Sequence, residues 1–191
     1  MAITKSKRRF LRISLRTLLL FMLVVGVALG WKVEKARRQR DVVAWILQSG
    51  GRVAYDYEWD NGPLRNSTLP GPKWLRELLG IDFFDKVVLV DFTFIQVVDI
   101  TPLAGLQRLE CLDLDNTQVT DVTPLARLTS LEILDLDNTH VTDVTPLAEL
   151  TNLKWLWLMD TPVSQDDYEM LRKTLPSCRI RWSKNPQSQL F

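Results

Sequence analysis

Apolar residues in the second half of the chain recur every 22 residues, and between them apolar and polar side chains alternate. Aligning the units gives three columns of apolar residues 22 positions apart: Leu109, Leu131, Leu153 and Leu175; Leu112, Leu134, Leu156 and Cys178; and Leu114, Leu136, Leu158 and Ile180. Val90 and Phe92 extend the second and third columns by one unit toward the amino terminus. The alternation points Leu112 and Leu114 inward and Cys111, Asp113 and Asp115 outward, as a half-exposed strand requires. The repeat therefore predicts a solenoid whose units bury their apolar edges against one another.

A second repeated motif predicts the segment that connects the strands. Thr-Asp-Val-Thr-Pro-Leu occurs at residues 120–125 and again at 142–147. Pro124 is typical of a first helical turn, and Asp121 or Thr123 before it can accept a hydrogen bond from an unpaired amide. The aspartate that recurs before each proline is therefore interpreted as a structural cap rather than as a ligand.

The last unit departs from the repeat in the way expected of a chain end. Ser164 and Asp167 have the spacing of a capping box, and a helical pattern then continues to Leu175, before Pro176. Residues 178–182 follow as a closing strand. A longer helix with a charged last strand predicts a terminal cap.

Each unit reads L-x-x-L-x-L-x-x-T-x-V-x-D-x-x-P-L-x-x-L, which resembles the leucine-rich repeat in its short, internalin-like form. The resemblance implies an α/β solenoid with parallel strands on a concave face and short helical turns on the convex one. The whole layout, with a basic amino terminus, a short apolar segment and an acidic repeat block, is similar to small membrane-anchored leucine-rich repeat proteins of bacteria.

Charge divides the chain into two opposite parts. Residues 1–40 have a net charge of +10 and the remainder has a net charge of −9. Between basic clusters, the 15 residues from Thr17 to Trp31 are uncharged, and the stretch reaches 17 residues if Leu15 and Arg16 are included. A membrane span needs about 20 residues, with about 17 as the practical minimum. We therefore predict a single-pass transmembrane signal anchor, with basic flanks that contact anionic lipid headgroups.

Two questions about this segment stay open in the sequence. A cleaved signal peptide would fit the small residues Ala28 and Gly30, although the basic residues directly after them oppose export of a new amino terminus. Basic residues also flank both ends, so orientation is only weakly specified. We expect the repeat domain on the non-cytoplasmic side of the cell membrane.

The predicted organisation has five parts. They are a basic tail (1–14), the anchor (15–33), a stalk helix with an amino-terminal cap region (34–86), the leucine-rich repeat domain with its carboxyl-terminal cap (87–182) and a flexible tail (183–191). Within the cap region we predict a helix to Gln48, a strand over 52–57, a loop over 58–72 and a helix over 73–79. Three tryptophans in this region are interpreted as packing residues: Trp45, Trp59 and Trp74.

The outward strand positions predict a binding surface on the concave face. By the 22-residue spacing they form three columns: Leu89, Cys111, Ile133, Trp155 and Ser177; Asp91, Asp113, Asp135, Trp157 and Arg179; and Thr93, Asp115, Asp137, Met159 and Arg181. The face is acidic at its start, aromatic in the middle and basic at its end. Exposed aromatic residues are typical anchors of protein interfaces, although these could instead pack beneath the cap helix.

Other chemistry is weakly represented. His140 is the sole histidine, and no nucleophile, phosphate-binding or metalloprotease motif occurs, so we expect neither an enzyme nor a cofactor. Calcium binding by Asp113, Asp115, Asp135 and Asp137 is a minor alternative, since a flat strand seldom surrounds an ion.

Two further kinds of chemistry are not expected. Cys111 and Cys178 are too far apart to form a disulfide. The acidic repeats disfavour binding of nucleic acid.

The predicted function is therefore binding of a protein or peptide on the concave face. Two alternatives stay open. The repeats could act as a rigid spacer in the envelope, with the aspartates serving only solubility, or Trp155 and Trp157 could stack on a carbohydrate.

Overall fold

The computed structural model describes residues 15–56 and 71–183. The predicted basic tail (1–14), Trp59 with most of the predicted loop, and the tail after Ser183 lie outside the described residues.

A six-stranded sheet forms the concave face of the repeat domain. Its strands follow chain order: β1 (Arg52–Tyr55), β2 (Val87–Asp91), β3 (Cys111–Asp113), β4 (Ile133–Asp135), β5 (Trp155–Leu158) and β6 (Arg179–Trp182). β1 pairs with β2 in antiparallel fashion, and every later pair is parallel. The solenoid with a parallel concave sheet is as predicted, and β1 covers its amino-terminal edge.

Short 3₁₀ turns connect the parallel strands on the convex side, over Thr101–Gly105, Thr123–Arg127 and Thr145–Glu149. Each turn has a proline at its start. The Asp121 carboxylate accepts a 2.8 Å hydrogen bond from the backbone amide of Thr123. Asp99 and Asp143 accept hydrogen bonds of the same length from the amides of Thr101 and Thr145. The recurring aspartate is thus a turn cap, as predicted.

The core is a stack of inward leucines between the sheet and these turns. Leu112, Leu134 and Leu156 are fully buried. A threonine after each of β3, β4 and β5 is also buried, and the Thr139 hydroxyl donates a 2.7 Å hydrogen bond to the Leu136 carbonyl. The hydroxyl satisfies a carbonyl that the strand leaves unpaired, so a polar residue inside this core carries no unsatisfied group.

The last repeat contains a regular helix in place of a 3₁₀ turn. This helix, α3 (Gln165–Thr174), begins at Ser164, whose hydroxyl accepts a 3.1 Å hydrogen bond from the Asp167 amide. Its length changes the register of β6, because Arg179 lies opposite Trp155 and Arg181 lies opposite Trp157. The predicted columns placed Arg179 beside Trp157 and Arg181 beside Met159, which was wrong by two residues. A longer helix uses more residues than a 3₁₀ turn before the chain returns to the sheet.

The amino-terminal helix α1 (Leu15–Gln48) is continuous and joins the repeats through its last turns. Ile46 is fully buried, Val43 is nearly so, and Trp45 meets the Phe92 ring edge-on with centroids 5.5 Å apart. A Cβ at Gly51 would lie 2.6 Å from the Phe92 ring, so only glycine allows the chain to turn into β1 here. The end of α1 thus covers the first repeat.

The prediction of a transmembrane anchor over residues 15–33 is not supported. No helix in the described part of the chain combines the length and apolar character required to cross a membrane. Charged residues limit the apolar stretch of α1, since only the 15 residues Thr17–Trp31 separate Arg16 from Lys32.

The cap region otherwise follows the predicted order. α2 (Lys73–Leu79) is present with the predicted bounds, and a 3₁₀ turn (Ile81–Phe83) leads from it toward β2. Trp74 is 66% exposed, so its interpretation as a packing residue was wrong. With seven residues and no buried side chain, α2 is too short to cover its tryptophan.

Candidate binding surface

The outward side chains of β2–β6 form one continuous surface, hereafter the concave face. Strand register aligns Asp91, Asp113, Asp135, Trp157 and Arg181 in one row across the sheet. The neighbouring row contains Leu89, Cys111, Ile133, Trp155 and Arg179. Asp115, Asp137 and Met159 follow their strands. The structure therefore brings the predicted acidic, aromatic and basic residues together, with Ser177 outside the rows.

Two tryptophans occupy the centre of the concave face. The rings of Trp155 and Trp157 stack nearly parallel, with centroids 5.8 Å apart and 12° between their planes. The Arg179 guanidinium lies over the Trp155 ring, 4.8 Å from its centroid. Both indoles are only half-buried. This contact fixes the aromatic pair on the open surface.

The alternative position for these tryptophans, beneath the cap helix, is occupied by other residues. Tyr168 of α3 stacks on Trp182 of β6, with ring centroids 4.7 Å apart. Trp182 lies opposite the buried Leu158, on the inward side of the sheet. An aromatic pair therefore already fills the space under α3, and Trp155 and Trp157 remain on the concave face.

Most of the acidic residues also hold the backbone at the ends of the strands. The Asp113 carboxylate accepts a 3.0 Å hydrogen bond from the Asp115 amide, and Asp135 accepts a 2.9 Å bond from the Asp137 amide. Asp137 in turn accepts a 2.6 Å bond from the Met159 amide. Asp91 pairs with Arg52 of β1 at 2.5 Å. These carboxylates are thus partly turn-forming groups, which their outward direction alone did not predict.

The carboxylates differ in how readily they ionise. Burial and the negative charges of Asp137, Asp113 and Asp115 together raise the pKa of Asp135 to about 6, against the hydrogen bond from the Asp137 amide. Burial and nearby carboxylates also raise the pKa of Asp137. At Asp91 burial opposes ionisation, but hydrogen bonds from Thr93 and the charge of Arg52 outweigh it and lower the pKa. Charge on the concave face is therefore sensitive to pH near Asp135.

Phe94 follows β2 and is an exposed residue that the repeat analysis did not single out. Its backbone has a φ of 61°, close to the 60° of Asn116 and the 54° of Asn138, which lie 22 and 44 residues later. Asparagine tolerates this left-handed conformation, whereas phenylalanine rarely adopts it. The ring is nevertheless 69% exposed. A phenylalanine in an asparagine column was the signal that could have found it.

Catalytic and metal chemistry have little support in this surface. The described residues contain no group of three or more His, Cys, Asp or Glu side chains arranged to hold a metal ion. Burial raises the pKa of Cys111 and of Cys178 to about 11, so both thiols are poor nucleophiles at neutral pH. His140 is exposed on the loop that follows the Asp137 turn.

Comparison with known proteins agrees with the repeat geometry. Residues 107–149 match the family model for leucine-rich repeats in two copies. Among solved structures, internalin C2 of Listeria monocytogenes is 36% identical, with a TM-score of 0.42, over 50% of this chain and 43% of that chain. The match over residues 107–149 confirms the predicted resemblance to leucine-rich repeat proteins.

Two further structures are more distant in sequence. An internalin of Listeria monocytogenes is 23% identical, with a TM-score of 0.36, over 47% of this chain and 34% of its own length. A leucine-rich repeat protein of Leptospira interrogans is also 23% identical, with a TM-score of 0.36, over 45% of this chain and 29% of its own. This chain therefore spans less than half of each of these proteins. No curated protein matches it.

Proposed function

We propose that the leucine-rich repeats of this chain form a binding module for a protein or peptide with basic and apolar side chains. The observation that carries the proposal is the stacked Trp155–Trp157 pair, which lies open at the centre of the concave face beside Asp113 and Asp135. Aromatic residues at the centre of a surface supply much of the binding energy in protein interfaces. Neighbouring carboxylates favour a cationic partner and disfavour an anionic one.

The two alternative functions are less well supported by the geometry. A sugar ring stacks on an open aromatic face, but Trp155 is covered by Arg179 on one side and lies against Trp157. A pure spacer has no requirement for a half-exposed tryptophan pair. The turn hydrogen bonds of the aspartates account for part of the acidic surface, but they do not account for the tryptophans.

Selection from a displayed peptide library tests the binding proposal, because the library itself supplies candidate partners. The immobilised full chain should enrich peptides that combine lysine or arginine with aromatic or large aliphatic residues. A concave variant with Asp113→Asn, Asp135→Asn and Trp157→Ala should lose this enrichment. A convex variant with Gln107→Ala, Arg127→Gln and Glu149→Gln carries the same number of substitutions on the opposite surface and should retain it. Equal enrichment by the concave variant, or no enrichment by the unchanged chain, would contradict the proposal.

We further propose that α1 attaches this module to a membrane. Its first half exposes large apolar side chains on all sides, among them Phe21 at 66%, Val24 at 65% and Trp31 at 72%. A helix that is apolar all round requires an apolar environment. Lipid is the favoured one, because Arg16 and Lys32 at the two ends suit anionic headgroups. We propose the non-cytoplasmic side for the repeats because six basic residues precede the apolar stretch and five follow it, which slightly favours a cytoplasmic amino terminus.

Flotation tests the attachment. The full chain, synthesised in a cell-free system with phosphatidylcholine vesicles, should float with them, and a Leu20→Asp, Val24→Asp variant should remain at the bottom of the gradient. Flotation of both proteins to the same extent would contradict attachment through α1. Protease protection in sealed cells then tests the side of the membrane, and repeats shielded on the cytoplasmic side would contradict the proposed location.

A further inference from the structure

A groove lies between α1 and the segment that precedes β2. It has a volume of about 520 Å³. Trp31, Lys32 and Lys35 of α1 line one side, and Phe83, Phe84 and Lys86 line the other. We call it the lysine groove. It begins where the apolar half of α1 ends, so a membrane that holds that half would meet the groove at its surface.

Two of the three lysine ammonium groups of the groove lie beside aromatic rings. Lys32 Nζ lies 4.5 Å from the centroid of the Phe83 ring, and Lys35 Nζ lies 5.9 Å from that of the Trp31 ring. Within the described residues, none of the three lysines forms an ion pair. A cation over an aromatic ring at an exposed site gains only about 0.5–1 kcal/mol. These charges are therefore held beside the groove and remain available to an anion.

The acidic residues of the groove are already engaged. Asp82 accepts hydrogen bonds from Gln39 at 3.1 Å and from the Tyr55 hydroxyl at 3.0 Å, and the Arg40 guanidinium lies 3.7 Å away. Its side chain is only 6% exposed. Asp85 accepts a 2.9 Å hydrogen bond from the Lys86 amide. Arg40 balances Asp82 and one lysine balances Asp85, so the other two lysines leave the groove with an excess of positive charge.

We propose that the lysine groove binds the headgroup of an anionic phospholipid, with the phosphate near Lys32, Lys35 and Lys86 and the first carbons of the acyl chains against Trp31 and Phe83. The combination of available ammonium groups and aromatic walls suits an anion that carries apolar chains. This proposal rests on membrane attachment by α1 and adds a lipid preference to it.

Photochemical crosslinking measures the lipid preference with a readout separate from flotation. The full chain is reconstituted in mixed vesicles that contain phosphatidylglycerol or phosphatidylcholine with a diazirine close to the headgroup. Phosphatidylglycerol adducts should be concentrated on peptides with residues 31–36 and 83–86, and phosphatidylcholine adducts should not. In a Lys32→Gln, Lys35→Gln, Lys86→Gln variant these adducts should fall by about tenfold or more, since each neutralised lysine near an anionic surface lowers binding by about fivefold.

A matched variant separates the groove from general surface charge. Arg127→Gln, Arg172→Gln and Lys173→Gln remove the same charge from exposed positions on the repeats and α3, and should leave the adducts unchanged. The arginine variant Lys32→Arg, Lys35→Arg, Lys86→Arg should retain labelling. An equal loss of adducts in the matched variant, or equal labelling by the two lipids, would overturn the proposal that the groove binds an anionic phospholipid.

The remaining outcomes identify which proposal fails. If soluble glycerol phosphate abolishes the labelling at residues 83–86, the groove is a site for free phosphate esters and the lipid assignment is overturned. If the chain floats normally but phosphatidylglycerol adducts are absent from the groove, lipid binding by the groove is overturned, whereas attachment by α1 is supported. If the chain does not float, both the attachment by α1 and the lipid binding by the groove are overturned.

Discussion

At the scale of single residues, the concave face joins two requirements that oppose each other. Its aspartates accept amide hydrogen bonds that hold the turns after the strands, and the same aspartates stand close enough to repel one another. Asp135 experiences this most, because burial and three neighbouring carboxylates act on it together. A residue that stabilises its turn is therefore also a source of electrostatic strain at neutral pH.

This strain predicts a pH dependence of stability. Because the pKa of Asp135 rises from 3.8 to about 6 on folding, the folded chain binds this proton more tightly than the unfolded chain. The stabilisation is complete below about pH 4 and is lost as the pH rises through about 6. Asp135→Asn keeps the acceptor for the Asp137 amide and should raise the unfolding free energy at pH 7 by about 1 kcal/mol, after allowance for solvent screening.

Urea denaturation at pH 4.5 and at pH 7 measures this effect. The variant should show a smaller difference between the two values than the unchanged chain. Asp121→Asn is the control, since that aspartate caps a convex turn away from the concave face. An Asp135→Asn variant with an unaltered pH profile would contradict the raised pKa.

Phe94 provides a second prediction at this scale. A residue with a side chain in the left-handed region costs about 1–2 kcal/mol, and asparagine pays less of this cost than other residues. Phe94→Asn should therefore stabilise the chain by about 0.5–1 kcal/mol, because the exposed ring contributes little burial. Thermal unfolding of this variant and of Phe94→Ala measures it. The alanine variant should not gain stability, and destabilisation by asparagine would show that the ring packs in solution.

At the scale of elements, the 3₁₀ turns and α3 each connect one parallel strand to the next, but α3 is the longer connection. The three turns repeat almost identically, with an aspartate cap and a proline in each. α3 has a longer route back to the sheet, which moves β6 by two residues and brings both arginines beside the tryptophan pair. The aromatic and basic parts of the concave face therefore depend on the length of one helix.

The cap of α3 tests this dependence. Ser164→Ala removes the acceptor of the Asp167 amide and should lower the unfolding free energy by about 1 kcal/mol. Ser164→Thr retains a hydroxyl and serves as the matched control. If the helix frays, Arg179 leaves the Trp155 ring, so tryptophan fluorescence under native conditions should also change in the alanine variant. Identical stabilities of the two variants would contradict a role for the cap.

The columns also show how much the sequence could predict. Inward leucines at constant spacing identify the strands and their faces, because burial of apolar side chains is the largest stabilising contribution and recurs in every unit. Periodicity contains no information on how many residues a different connection uses, so the register of β6 was wrong. The stack of Tyr168 on Trp182 and the exposed position of Trp74 depend on contacts outside the repeat, which spacing does not encode.

At the scale of the whole molecule, the repeats form one core from Ile46 at one end to Leu171 at the other. Each unit contacts only its neighbours, and the array is short, so no unit has enough buried surface to remain folded alone. Leu134→Ala, in the middle of the stack, should lower the unfolding free energy by about 2–5 kcal/mol. Tryptophan fluorescence and far-ultraviolet circular dichroism should still give the same transition midpoint. Separate midpoints would show that the two ends unfold independently.

The near-identity of the internal repeats has a consequence for the spacing of the concave face. A whole unit inserted between β3 and β4 would leave every leucine column intact, because its ends match those of its neighbours. It would move the tryptophan pair away from the Arg52–Asp91 pair by one strand, about 4.8 Å. Distances along this surface can thus change only in steps of that size, and a chain with one more or one fewer repeat would suit a ligand of correspondingly different length.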